Sequence, residues 1–229
     1  MAEPVERSFP QSISRHFMLY VPEDDGPFPL VVAAHGYGGD RTSMMRLARR
    51  IGGDAWAVAS LQGPYQHLVY PEDRTKPLGV GFGWLTNFEP DAAVALHAEY
   101  VLEVAREAAA DPRVEADRFF LLGFSQASAL NFRFAFAHPE RVGGVVAICG
   151  GIPGDWETGP YRDGDFDVLL IGGENDDFYP PDRMRANGEA LRRRARSVDV
   201  RIFDVGHEVP REAYTVIFEW VRDRRSRPR

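Results

Sequence analysis

Short apolar runs, each too brief for a buried helix, alternate along most of this chain with segments whose apolar residues return every three or four positions. The runs are Leu30 to Ala34, Ala55 to Leu61, Phe119 to Leu122, Gly143 to Cys149, Val168 to Ile171 and Val198 to Val205. Consecutive apolar positions mean strands covered on both faces, the situation of a parallel sheet between helices. The helical pattern is clearest from Asp91 to Ala110, where Val94, His97, Val101, Val104 and Ala108 fall on one stripe. Further helices are predicted over Thr42 to Arg50, Gln126 to Ala137, Asp182 to Arg196 and Pro210 to Arg225, and an extended Arg15 to Val21 adds an edge strand. The alternation predicts an α/β fold, a mostly parallel doubly wound sheet flanked by helices. With 229 residues, 44% of them apolar, and neither repeat nor long linker, the chain is expected to form one domain, residues 1–229.

The charge balance narrows the partners. With 27 basic against 34 acidic residues the net charge is −7, which repels nucleic-acid backbones and acidic lipid surfaces. Arginines crowd Arg192 to Arg196 and Arg222 to Arg229, where they are expected to form a solvated helix face and a frayed end. Cys149, the one cysteine, lies in the apolar run from Val145 and reads as a buried strand thiol. The start Met1-Ala2-Glu3-Pro4-Val5-Glu6-Arg7 lacks the basic-then-apolar order of a secretory signal, and no run reaches the ~20 apolar residues of a membrane span. A soluble, cytoplasmic protein is expected.

Phe119-Phe120-Leu121-Leu122-Gly123-Phe124-Ser125-Gln126-Ala127 sets a Gly-x-Ser-x-small motif between a strand pattern and a helix pattern. This is the context of a nucleophile elbow, in which a serine sits on a sharp, strained turn and its neighbours two residues away must be tiny. The helix that follows aims its first N–H groups at charge developing beside Ser125. A serine hydroxyl needs a base to take its proton, and the base needs a partner that fixes its tautomer. Of six histidines, His207 follows directly on a late strand, in Val205-Gly206-His207-Glu208, where it reaches the C-terminal edge of a parallel sheet. His16, His97 and His138 read as structural, and His67 in the loop is a minor candidate. For the acid, Gly172-Gly173-Glu174-Asn175-Asp176-Asp177 leaves a strand with three carboxylates. Spacing does not separate Asp176 from Asp177, with Glu174 a third candidate. The order serine, acid, histidine is that of α/β-hydrolases.

The turn His35-Gly36-Tyr37-Gly38-Gly39 follows the first buried strand and can turn an N–H inward. The backbone N–H groups of Tyr37 and Gln126 are the predicted oxyanion donors, each worth about 10²- to 10³-fold in rate, with His35 bracing the turn. The connection Gln62 to Pro90 is long for a compact domain and rich in Gly, Pro and aromatics. Tyr65, Tyr70, Phe82, Trp84, Phe88 and, from the acid loop, Phe178 are the predicted pocket residues.

On these residues the chain resembles the phospholipase/carboxylesterase family of small α/β-hydrolases, which also holds the acyl-protein thioesterases. The resemblance runs from Arg15 to Trp220 through Leu-Gly-Phe-Ser-Gln at Leu122 to Gln126, His35-Gly36, Gln-Gly-Pro at Gln62 to Pro64, His-Pro-Glu-Arg-Val at His138 to Val142, Gly-Gly-Ile-Pro at Gly150 to Pro153, and Gly-His-Glu at Gly206 to Glu208. The family's acid loop, Gly-x-x-Asp-x-x-x-Pro, maps onto Gly173, Asp176 and Pro180 and so favours Asp176 over Asp177. The family's oxyanion donors fall on Tyr37 and Gln126. The chain departs from the pattern at Ala127, where glycine is usual, at Tyr37, where an aliphatic residue is common, and in lacking the histidine that often precedes the acid-loop glycine.

The resemblance implies a Ser125, His207, Asp176 serine carboxylesterase acting on small-molecule esters through an acyl-enzyme, with no metal or organic cofactor. Thioester or lysophospholipid hydrolysis by the same groups is the near alternative, and a non-catalytic binding protein on the same fold the distant one. Dienelactone-type hydrolysis is disfavoured because that relative presents cysteine at the elbow. No insertion resembles a large helical lid, which points to short-acyl substrates. A homodimer is left open.

Overall fold

The computed structural model describes residues 3–9, 12–71, 75–85 and 88–225. Seven strands form the main sheet in the order β1 (Phe17–Tyr20), β3 (Ala57–Leu61), β2 (Phe28–Ala34), β6 (Val114–Phe124), β7 (Val142–Ile148), β8 (Gly164–Gly173) and β9 (Ala195–Phe203). All neighbours are parallel except β1, which runs antiparallel to β3 along the edge. Helices α1 (Arg41–Gly52) and α5 (Ala213–Arg225) cover one face, and α2 (Pro90–Ala108), α3 (Gln126–Ala137) and α4 (Pro181–Arg192) the other. Strand residues alternate between these two cores. On β2, Val31 and Ala33 pack with Met44, Met45 and Ala48 of α1, while Leu30, Val32 and Ala34 face the core that holds Val101 of α2 and Leu130 of α3. The mostly parallel, doubly wound sheet is therefore the one that the apolar runs predict.

The winding reverses between β2 and β6. From β2 the chain moves outward to β3, and from β6 it moves the other way through β7, β8 and β9. The connections that leave β2 and β6 diverge to opposite faces, so a crevice opens at their C-terminal ends, where open α/β sheets bind ligands.

Three expectations need correction. The long connection after Gln62 is not structureless, because β4 (Tyr65–Val69) and β5 (Gly79–Gly83) pair there as an antiparallel hairpin. Its second strand reads Gly-Val-Gly-Phe-Gly, a composition that hides a strand. Glycine is required at one of these positions: a Cβ on Gly81 would lie 2.7 Å from Val69 Cγ2 and 2.9 Å from the Cα of Gly38. The last helix before β9 stops at Arg192, and Ala195 and Arg196 already belong to the strand. Arginine favours helix, but here the guanidinium of Arg196 is drawn to the buried carboxylate of Asp167, 2.8 Å away on β8. The arginine clusters are accordingly not all solvated: Arg224 joins the same carboxylate at 2.8 Å, and Arg194 donates to the carbonyl of Tyr161.

Candidate active site

Ser125 stands between the end of β6 and the start of α3 with φ 52 and ψ −118, a left-side backbone angle that costs a non-glycine residue about 1–3 kcal/mol. Its surroundings hold it there. The N–H of Ser125 donates to the Ile148 carbonyl at 2.8 Å, and its own carbonyl accepts from Ser128 N at 3.0 Å. A Cβ on Gly123 would sit 2.7 Å from Asn131 Nδ2 and 3.2 Å from the Ala127 carbonyl carbon, so glycine is what lets the strand turn back against the helix.

The loop after β9 brings His207 Nε2 to 2.9 Å from Ser125 Oγ. The other ring nitrogen, Nδ1, is 2.9 Å from Asp176 Oδ2. A carboxylate accepts only, so Nδ1 carries the proton of the neutral ring and Nε2 is left to accept from the serine hydroxyl. Asp176 lies just past β8 and its side chain is fully buried. Its second oxygen accepts from the N–H groups of Phe178 and Tyr179, both at 2.9 Å. Burial pushes this carboxyl up, but the hydrogen bonds from His207, Tyr179 and Phe178 outweigh it, and the net shift is downward. Asp177 and Glu174, the other carboxylates of the loop, are exposed. Phe124, Phe178 and Tyr179 pack around the imidazole with ring centroids 5.1, 4.9 and 6.1 Å away.

The turn after β2 approaches the serine closely. A Cβ on Gly36 would lie 2.7 Å from the Phe124 ring and 3.2 Å from Ser125 Cβ, so the chain passes there only as glycine. Gly38, at φ 80, donates to the Phe82 carbonyl at 2.9 Å, and Phe82 N returns a bond to Gly39 O at 3.2 Å, which docks the turn on the hairpin. His35 is buried and faces the Gly36 carbonyl through Nδ1, while Nε2 accepts from Gly63 N at 2.9 Å. Burial lowers its pKa, and it stays the neutral brace expected of it. Among the described residues neither the Tyr37 nor the Gln126 main-chain N–H is taken by a protein acceptor; that of Gln126 is at the first position of α3, where no intrahelical partner exists.

Trp84 requires a correction. Predicted as a pocket wall, it is 1% exposed, with its indole N–H bonded to the His35 carbonyl at 2.7 Å and its ring set edge-on against His97. It braces the turn from beneath. Its own N–H donates to Gln126 Oε1 at 2.9 Å, and Gln126 Nε2 donates to Leu85 O at 3.1 Å, so one short segment ties together the two backbones that carry the Tyr37 and Gln126 N–H groups. Of the other predicted pocket residues, Phe178 packs on His207, Phe82 lies in the hairpin, and Tyr65, Tyr70 and Phe88 are exposed. The sequence reading missed Phe124 and Tyr179 at the imidazole, although both adjoin residues it had singled out. It also read His67 as a minor candidate; that ring stacks on Tyr37 at 4.3 Å.

Cys149 is buried as expected, at φ 46, with its thiol directed at the Glu208 carbonyl, 3.2 Å away. Ligand atoms of Cys149, Asp176 and His207 fall within 4.8 Å of one another. The chemistry of the set does not suit a metal, however: burial and the neighbouring Asp176 push the thiol up to about 12, whereas metals bind thiolate, and His207 and Asp176 already hold each other.

The model of one family, phospholipase/carboxylesterase, matches residues 20–223. The chain belongs to the phospholipase/carboxylesterase family. That is a family of serine hydrolases, and the resemblance drawn from the motifs is thereby established. NocK of Nocardia uniformis subsp. tsuyamanensis, which carries an esterase assignment, is 31% identical over 168 residues, 68% of this chain and 42% of NocK. The chain thus spans less than half the length of that relative. Among solved structures, the carboxylesterase from Mesorhizobium loti is similar with a TM-score of 0.71 at 23% identity, covering 91% of this chain and 94% of that one. The Bacillus cereus carboxylesterase gives a TM-score of 0.70 at 18% identity, covering 92% and 94%. These likenesses establish the α/β-hydrolase fold. Among the described residues no helix is long and apolar enough to cross a membrane.

Proposed function

We propose that the chain, working as one α/β-hydrolase domain, is a serine carboxylesterase for small, short-acyl esters. The observation that carries the proposal is the unbroken relay from Ser125 Oγ through both nitrogens of His207 to Asp176, with each step 2.9 Å long.

In the proposed reaction His207 Nε2 takes the hydroxyl proton as Ser125 Oγ attacks the acyl carbon. Asp176 stabilises the imidazolium that results without itself being protonated. Negative charge develops on the former carbonyl oxygen, where the N–H groups of Tyr37 and Gln126 receive it. The tetrahedral intermediate collapses, His207 protonates the departing alcohol, and water, activated by the same ring, releases the acid from Ser125. Held donors matter because they need no reorganisation as charge appears, and each contributes about 2.7–4 kcal/mol in comparable sites. The hydrogen bonds through Trp84, Gln126 and Phe82 support this role by fixing both segments.

The test is a panel of matched esters and thioesters graded from acetyl to palmitoyl. The proposal expects fastest turnover with short acyl esters and none from Ser125→Ala. Best turnover on long-chain thioesters would overturn the short-chain ester reading in favour of a thioesterase.

A further inference from the structure

Beside the candidate site, on the face covered by α1 and α5, lies a cavity of about 210 Å³ lined in part by Gly36, Tyr37, Met44, Leu47, Phe124 and Val209. None of the aromatic residues that the sequence marks as the pocket lines it. Two of its walls belong to the histidine: Phe124 packs on the His207 ring, and Val209 follows His207 by two residues. A third wall, Gly36, abuts Ser125.

Resting on the esterase reading above, we propose that this cavity receives the alcohol portion of the substrate, and that the alcohol is a compact, uncharged alkyl or aryl group. The direction follows from the chemistry. As the bond between the acyl carbon and the alcohol oxygen breaks, the proton that His207 Nε2 gained from Ser125 passes to that oxygen, so the alcohol must lie on the imidazole's side. The class follows from the walls. Met44, Leu47, Phe124 and Val209 are apolar, and none of the lining residues bears a formal charge, since burial keeps His35 neutral.

None of the lining residues offers a cation to a phosphorylated alcohol. The start of α1, which lines the cavity through Ser43, is already capped: Ser43 N donates to Asp40 Oδ1 at 2.7 Å, and Ser43 Oγ donates to Asp40 O at 2.9 Å. Arg41, two residues beyond the wall Gly39, directs its guanidinium to Gln62 Oε1 at 2.9 Å. The apolar walls give a phosphate nothing in exchange for the water it would lose, and Asp40 adds repulsion. The size agrees with the class, because a dry apolar cavity of roughly 150 Å³ holds a benzene ring. The cavity thus favours simple esters over lysophospholipids, whose leaving group is a charged glycerophosphate.

The experiment fixes the acyl group as acetyl and varies the alcohol: methyl, butyl, benzyl and glycerol phosphate acetates, with each kcat/KM divided by the ester's rate of hydrolysis in hydroxide. The wild-type protein is expected to favour benzyl over glycerol phosphate at least about tenfold. Leu47→Trp, which fills the cavity, should lower the benzyl-to-methyl ratio at least about tenfold. Leu47→Ala, which enlarges it, should shift the preference toward larger alcohols, and this second variant keeps the test decisive if the first does not fold. The ratio between methyl acetate and methyl butyrate should change less than the alcohol ratio in both. Alcohol ratios unmoved by either variant, a change confined to acyl selectivity, or a wild-type preference for the phosphate ester would each overturn the assignment. Labelling by a small fluorophosphonate separates the two levels. Labelled Ser125 with unmoved ratios removes the cavity and leaves the hydrolase, whereas unlabelled Ser125 removes the hydrolase reading and the cavity's role with it.

Discussion

A buried aspartate lies near each end of strand β8, and the two are held in opposite ways. Asp167, near its start, meets Arg196 and Arg224 at 2.8 Å each and the Ser197 hydroxyl at 2.7 Å. Asp176, just beyond its end, meets one imidazole and two backbone N–H groups. Both side chains are fully buried, and in both the hydrogen bonds outweigh the upward push of burial and lower the pKa. The difference is the partner. Guanidinium does not lose its proton, so Asp167 can only clamp β8, β9 and α5 together. Imidazole can take up a proton at one nitrogen and give it back, so Asp176 can serve a group that changes charge.

The largest expected effect separates the two ends. Asp176→Asn should lower kcat about 10⁴-fold by spoiling the His207 tautomer, whereas the exposed Asp177→Asn should stay within a few-fold of wild type; steady-state kinetics on one short ester checks both. Equal losses from the two substitutions would break the comparison. Next, Asp167→Ala should cost about 3 kcal/mol in urea unfolding, because it leaves two arginines without their buried carboxylate, while the kcat of the folded fraction is retained. A loss of kcat at full stability would mean that the two ends are coupled.

Acid sharpens the comparison further. Both folded pKa values lie below the ordinary aspartate value, so the unfolded chain binds more protons as pH falls. The stability from these two groups is complete above about pH 5 and is lost as pH drops through the ordinary value (~3.9) and past the folded ones. Urea midpoints measured down that range should decline less steeply in Asp167→Ala than in wild type. The smallest expected effect is at the brace: Trp84→Phe removes the bond to the His35 carbonyl, worth about 1 kcal/mol, and should lower kcat about tenfold with KM little changed.

How much of this was legible in the sequence depends on whether the signal was local. The elbow at Ser125 was plain because its requirements are local: small residues at Gly123 and Ala127 between a strand and a helix pattern. The pairing of the acid was not, since Asp176 and Asp177 are chemically identical neighbours and only the turn at Phe178 and Tyr179 decides which carboxylate faces inward. The resemblance to the family's loop spacing supplied that choice. The β4–β5 hairpin escaped because its second strand is rich in glycine, and the one required there, Gly81, answers to the close approach of Gly38, a contact distant in sequence. Arg196 and Arg224 looked solvated because a charge shows its buried partner only in three dimensions. Met44, Leu47 and Val209 carried no signal of their own, since a wall of a cavity and a piece of core have the same composition.

The rate at which a fluorophosphonate modifies Ser125, followed by intact-protein mass, tests the central claim without any choice of ester. If His207 activates this hydroxyl, wild type gains the label's mass on Ser125 and His207→Ala reacts at least about 10³-fold more slowly. Equal rates in the two proteins, or no modification of Ser125 in either, would contradict the account.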